Sequence, residues 1–295
     1  MFLKLTDSSR TYAIAALAVG MLSIQTGASL AKHLFHTLSP LGVVSLRLLF
    51  AACILIAVGH PWRRWPKRNE WFSLFAYGLS LGSMNLLFYM AIARIPLGIA
   101  IALEFSGPLA IALLHTRSWK DFLWAVCAAG GIVLLLPVTK LSSNIDPVGA
   151  AYALGAATCW AIYIIFGKKT SHTVHGGTAT ALGMSIAACF VFPIGFAQHG
   201  LSLFNFAILP MALSVAILSS ALPYSLEMFA LRKLPTRTFS ILSSMEPAIG
   251  AVCGVVFLSE TLGAIQLFAI GMVILASAGS TWTAEEAEST AELVP

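Results

Sequence analysis

Long apolar stretches alternate with short polar breaks along nearly the whole chain. Ten apolar runs stand out, at 12–31, 41–59, 71–93, 97–114, 121–137, 148–167, 178–197, 207–231, 236–258 and 263–283. Each is long enough to be a spanning helix, since about 20 residues at 1.5 Å per residue cross a ~30 Å hydrocarbon core. The pattern predicts an all-α polytopic membrane protein with ten transmembrane helices. Inside several runs the polar positions share one helical face. Gln25, Ser29 and Lys32 do so in the first run, and Gly78, Gly82, Asn85 and Tyr89 in the third. Trp160 and Tyr163 share a face of the sixth, Ser220, Tyr224 and Glu227 of the eighth, and Ser243, Glu246 and Gly250 of the ninth. Such stripes face a cavity or another helix, not lipid. The Gly78/Gly82 and Gly250/Gly254 pairs read as close helix contacts.

Composition sharpens this. The chain is 58% hydrophobic and 10% charged, whereas a soluble domain is about 25% charged. Little sequence remains for a soluble domain. The first run outlasts a signal-peptide core and ends in Lys32 and His33 without a clear cleavage site, so it reads as a retained helix. Cys53, Cys127, Cys159, Cys189 and Cys253 all lie inside apolar runs without CxxC spacing. They read as small buried hydrophobes, not as a metal or disulfide framework.

The net charge of +5 implies no nucleic-acid partner, because the basic residues follow topology. One set of alternate connections holds Lys4, Arg10, Arg63, Arg64, Lys67, Arg68, Arg117, Lys120, Lys168, Lys169, Arg232, Lys233 and Arg237. The other set holds Lys32, Arg94 and Lys140, and Arg47 lies within a span. The positive-inside rule then places both termini in the cytoplasm. The tail, with Glu285, Glu286, Glu288 and Glu292, reads as disordered.

Two motifs repeat. Arg94-Ile95-Pro96 is followed after twelve residues by Pro108, and Lys233-Leu234-Pro235 after twelve by Pro247. The first proline of each opens an apolar helix, and Pro108 and Pro247 break it. Ala51-Ala52-Cys53 recurs as Ala187-Ala188-Cys189. Five helices per half is an odd number, so two such halves have opposite orientation. The organisation expected is a cytoplasmic N-terminus (1–11), a first repeat (12–140), a second (147–283) and an acidic tail (284–295). Inverted repeats with broken helices point to the midplane binding site of a secondary transporter.

Four charges fall inside spans: Arg47, Glu104, Glu227 and Glu246. Each costs about 2.5–3.5 kcal/mol on insertion scales. Arg47 and Glu104 lie at similar depth, where they could pair. Glu227 is followed closely by Arg232, a local partner. Glu246 directly precedes Pro247 near the midplane. An amino acid suits this set: its ammonium needs a carboxylate, from Glu246 or Glu104, and its carboxylate needs Arg47, Lys32 or free backbone N–H groups. All seven histidines lie at helix ends or in loops, so a carboxyl is the better proton carrier. The candidate substrate- or proton-binding residues are Glu246, Glu104, Arg47, Gln25, Lys32, Asn85, Tyr89, Trp160, Tyr163, Tyr224 and Glu227. No cofactor or metal is implied. An intramembrane enzyme is disfavoured, since no His sits at the midplane to act as base. A cationic or lipophilic cargo stays open, as does a homodimer.

These residues carry a family resemblance. Two inverted five-helix halves resemble the drug/metabolite transporter superfamily with paired EamA domains. Four stretches, Ser23–Lys32, Pro96–Pro108, Ala221–Met228 and Leu234–Phe239 with Ser244–Ala248, are similar to the threonine and homoserine exporters of bacterial inner membranes. The resemblance implies export of small amino acids driven by the proton gradient. It also implies partnership with protons, an amino-acid substrate and the lipid bilayer.

Overall fold

The apolar runs become helices that pack in a fixed pairwise pattern. The computed structural model describes residues 7–114, 119–135, 145–234, 243 and 245–292. In chain order the helices are α1 (Asp7–Leu34), α2 (Pro40–Gly59), α3 (Trp71–Ile92), α4 (Leu97–Glu104), α5 (Ser106–Leu114) and α6 (Trp119–Leu135). They continue as α7 (Pro147–Thr173), α8 (Gly176–His199), α9 (Leu209–Ala216), α10 (Leu222–Lys233), α11 (Glu246–Leu258) and α12 (Ala264–Glu292). No strand occurs among the described residues. Among the described residues, six segments are long and apolar enough to cross a bilayer: 11–34, 40–59, 71–92, 147–171, 176–204 and 209–230. Shorter apolar helices cover 97–111, 122–134, 246–258 and 264–276.

Helix ends follow local chemistry. Ser39 caps α2 by accepting from the Gly42 N–H, with Pro40 at the first helical position, where its missing N–H costs nothing. Asp146 caps α7 in the same way through Val148, ahead of Pro147. His60 and Ser259 end α2 and α11 in left-handed backbone conformation.

Proline interrupts two runs as expected. Pro108 offers no N–H to the Glu104 carbonyl four residues back, and the chain turns at Phe105 between α4 and α5. Pro247 removes the donor for the Ser243 carbonyl, and α11 begins only at Glu246 after a turn at Met245. The eighth run is not uniform. A π-turn over Ile217–Ala221 separates α9 from α10, just before Pro223, which denies the Ser219 carbonyl its helical partner.

The packing respects a duplication. α1 packs on α10 as α3 packs on α7; α2 packs on α8, α4 on α11 and α6 on α12. Exchanging each helical segment with its counterpart five apolar runs later leaves these five pairings unchanged as a set. Glycines permit several of them. A Cβ at Gly98 would meet the backbone of Ala251, and one at Gly107 would run into the Ala157 carbonyl. Gly78 lies against Gly183 and Ile186, Gly82 against Ala187, and Gly250 against Ile101.

Polarity is inverted relative to a soluble protein. Arg47, Asn85, Glu104 and Glu246 are buried, whereas Phe72, Phe75, Phe206, Val256 and Phe268 are exposed. Charge inside and aromatic or branched side chains outside suit a lipid surround. Two expectations need correction. The acidic tail is not irregular: α12 runs on to Glu292, because its Ala- and Glu-rich sequence has high helix propensity. The cysteines are not uniformly buried: Cys53 and Cys189 are exposed and only Cys253 is fully buried, since both lie on outward faces of α2 and α8.

Candidate substrate site

A cavity lies where the two halves meet. Its polar lining comes from α1 (Gln25), α2 (Arg47), α3 (Asn85), α4 (Glu104), α7 (Trp160, Tyr163), α10 (Tyr224, Glu227) and α11 (Glu246). Ile24, Ala28, Met84 and Phe88 complete the wall. The cavity volume is about 50 Å³, room for roughly four waters.

Arg47 is the best-anchored group. It is 2% exposed. Its Nη1 donates to the Ser219 carbonyl at 3.3 Å, a carbonyl of the π-turn. The neighbouring Leu218 carbonyl takes a hydrogen bond from Ser23 Oγ at 2.6 Å. The π-turn thus exposes backbone acceptors, and side chains of α1 and α2 cap them; such turns recur at functional sites. Arg47 Nη2 donates to Asn85 Oδ1, and the guanidinium carbon sits 4.4 Å from the centre of the Tyr89 ring. Asn85 is held in turn, donating to the Leu81 carbonyl at 2.8 Å and to the Tyr224 hydroxyl at 3.0 Å.

Magnitudes show what this achieves. Two hydrogen bonds from a charged donor contribute about 1.5–3 kcal/mol each, and a desolvated cation–π contact about 2 kcal/mol. Together they offset the about 2.5–3.5 kcal/mol cost of an arginine in a span. The carboxyl groups have no such support. Glu104, Glu227 and Glu246 make no ion pair or side-chain hydrogen bond among the described residues, although all three line the same cavity. Two lining side chains also bury a polar atom without a partner there: Gln25 Oε1 and Arg47 Nε. An unmet buried group costs about 1–3 kcal/mol; these atoms are the unmet polar groups of the cavity wall.

Aromatic rings frame the site. Tyr163 stacks on Tyr77, centroids 5.1 Å apart, and tilts against Tyr224 at 6.4 Å. Trp160 meets Phe105, the residue at the α4–α5 break, edge to face at 5.7 Å.

Most of the sequence-derived candidates converge, but not all. Gln25, Arg47, Asn85, Glu104, Trp160, Tyr163, Tyr224, Glu227 and Glu246 share the cavity. Tyr89 stands behind Arg47 as its cation–π partner instead of lining the space. Lys32 is not in the cavity. Two turns beyond Gln25 along α1, it pairs with Glu260 Oε1 at 2.5 Å and reaches the Ile95 carbonyl at 3.5 Å. Glu260 Oε2 accepts from the Leu97 N–H at 2.9 Å, so one carboxylate ties the end of α1 to the start of α4. Arg47 and Glu104 share the cavity without forming the expected ion pair, because the guanidinium is taken by Asn85 and Ser219. The expected Glu227–Arg232 pair lies outside the described residues, as the Arg232 side chain is not among them. Sequence reasoning missed Glu260 and the Ser219 carbonyl. Pro223 was the available signal for the second.

Helices of the first half packed on helices of the second, broken helices and a charged cavity between them define a polytopic membrane transporter. The chain belongs to the EamA-like transporter family, whose pattern matches residues 11–136 and again 147–282. It is 51% identical over 280 residues to the threonine/homoserine exporter RhtA of Escherichia coli strain K12, covering 95% of each chain. It is 52% identical over 270 residues to the protein of the same name from Salmonella typhimurium strain LT2, covering 92% of this chain and 91% of that one. An uncharacterized transporter of Bacillus subtilis, YxxF, is 24% identical over 257 residues, covering 78% of this chain and 80% of that one. A solved crystal structure superposes with TM-score 0.64 at 16% identity, covering 94% of this chain and 98% of that one; it bears on the fold alone.

Proposed function

We propose that the protein is a secondary transporter of the bacterial inner membrane that exports threonine and homoserine by alternating access, in exchange for protons. The observation that carries this reading is the cavity itself. Carboxyls from both halves, Glu104 from one and Glu227 and Glu246 from the other, line one space together with Arg47. A zwitterionic amino acid is complementary to that set: Arg47 takes its carboxylate and a carboxylate takes its ammonium. The high identity to exporters of these amino acids supports the same cargo. Alternating access would open this space to each side of the membrane in turn.

Proton exchange rests on the carboxyls. They are the cavity groups able to bind and release a proton, and a carboxylate freed of cargo can take one up before the return step. Glu246, at the start of α11 beside Pro247, is assigned the proton, and Glu104 the cargo ammonium.

The topology proposed is ten spans in two inverted repeats, 12–140 and 147–283, with both termini cytoplasmic. Loop contacts support it. Lys32 pairs with Glu260 and Arg94 with Asp146, and Ser39 contacts His199. Each contact joins segments that the alternation of ten spans puts on the same face.

A cationic cargo would use the acids but leave Arg47 only its bonds to Asn85 and Ser219. Counterflow in proteoliposomes, with a panel of amino acids and cationic drugs, separates the two readings. Exchange of labelled threonine for threonine or homoserine supports amino-acid export, and exchange restricted to cationic drugs rejects it.

A further inference from the structure

Among the side chains lining the cavity, Gln25 is the neutral one that buries a polar atom without a partner in the described residues. The other amide, Asn85, is fully engaged with Arg47, Leu81 and Tyr224. Gln25 is 4% exposed, and its backbone is fixed. Its carbonyl accepts from Ser29 Oγ at 2.9 Å. On either side, Ser23 donates to the Leu218 carbonyl and Gly27 lies directly against Ser219, where a Cβ would not fit. Residues 23 and 27 therefore lock one face of α1 onto the π-turn, and residue 25, nearly opposite on the helix, is turned to the cavity.

The chemistry of the unmet groups is specific. Arg47 Nε–H is a spare charged donor for a carboxylate, and the glutamates are acceptors for an ammonium. These account for both charged ends of an amino acid and leave Gln25 Oε1 as one neutral acceptor. A cargo that satisfies it carries a further donor on its side chain. We infer that Gln25 is the specificity-determining residue that reads the side-chain hydroxyl of the cargo, an inference that rests on the amino-acid export reading above. If the amide is turned over, its nitrogen donates to the same hydroxyl, which both donates and accepts. The requirement for a hydroxyl is unchanged. A site built to bond a hydroxyl rejects the apolar isostere strongly, because its own polar group is then left unpaired.

Threonine and valine differ by a hydroxyl against a methyl of similar size, which makes them the probe pair. Labelled threonine counterflow is measured in proteoliposomes with external threonine, homoserine, valine or alanine as competitor. Wild-type protein is expected to favour threonine over valine by at least about tenfold. Gln25→Met should reduce that ratio to within about threefold. Gln25→Asn withdraws the amide by one methylene and should move the preference from threonine toward homoserine, whose hydroxyl reaches one carbon farther. Equal competition by threonine and valine in the wild type overturns the inference, whatever the variants do. So does a Gln25→Met protein with wild-type discrimination, or one that inserts normally and exchanges nothing. If Gln25→Met does not insert, an unchanged threonine-to-homoserine ratio in Gln25→Asn overturns it instead. Absence of any threonine counterflow by wild type sinks the export reading itself, a different result from exchange without discrimination.

Discussion

Charged side chains occupy two settings in this molecule, and they are treated in opposite ways. At the helix ends Lys32 meets Glu260 at 2.5 Å and Arg94 meets Asp146 at 2.9 Å. In the cavity, three carboxyl groups and Arg47 share one space without an ion pair among the described residues. Pairing is most valuable where water is scarce, so a chain selected only for stability would have paired the inner charges first. Here Arg47 is held by neutral partners, Asn85, Ser219 and Tyr89, while the acids stay free. The outer charges hold helices together; the inner ones are left unpaired, which suits the cargo and proton roles proposed for them.

The largest effect expected from breaking that contrast is at Glu246. Glu246→Gln keeps shape and removes the titratable proton, and export should fall to background while the protein remains in the membrane. Unchanged export of labelled threonine would remove Glu246 from the mechanism. Next is Arg47. Arg47→Lys retains charge but loses the planar fork that reaches Asn85 and Ser219 together. An apparent KM raised about tenfold, equivalent to about 1.4 kcal/mol, is expected. Disappearance of the protein from the membrane would instead mean that Arg47 serves only to join α2, α3 and the π-turn.

The outer pair should matter less. Lys32→Gln or Glu260→Gln is expected to change counterflow rates by roughly two- to fivefold, as partly exposed ion pairs contribute about 1 kcal/mol or less. The exchanged double variant Lys32→Glu/Glu260→Lys should recover part of the loss. No recovery would assign Glu260 chiefly to the Leu97 N–H.

The smallest effect is at Asp146. The Arg94 hydrogen bond first, then the Val148 N–H, hold its carboxyl below the ordinary value of 3.8. A depressed carboxylate pKa adds stability that is present above the unfolded-state pKa and is lost as pH falls through the folded one. Asp146→Asn should therefore lower the melting temperature slightly at neutral pH, and the difference should vanish in acid. A gap that persists below pH ~3 would mean that the cap geometry, not the charge, is responsible.

Much of this was legible in one dimension because a membrane imposes simple rules. Hydrocarbon demands long apolar helices, so runs of about 20 residues announce themselves. Proline lacks an N–H, so Pro108 and Pro247 announced the breaks. A buried charge is costly, so Arg47, Glu104, Glu227 and Glu246 could be picked out singly. Pairing was harder. Lys32 lies on the same stripe as Gln25, and periodicity alone could not say that the stripe leaves the cavity before reaching it. Glu260 sits in a short connection and looked unremarkable until the fold brought it to Lys32 and Leu97.

The sequence by itself determined the class of molecule, its broken helices and the residues whose burial needs a reason, since each follows from local chemistry against a lipid background. Only the tertiary structure decided which of those residues meet. It placed Gln25 and Glu246 around one space, put Tyr89 behind Arg47, and sent Lys32 to an ion pair at the helix end. Those outcomes depend on contacts between segments far apart in the chain, set by glycine-permitted helix approaches such as Gly98 on Ala251 and Gly107 on Ala157. The spacing within any one helix does not encode them.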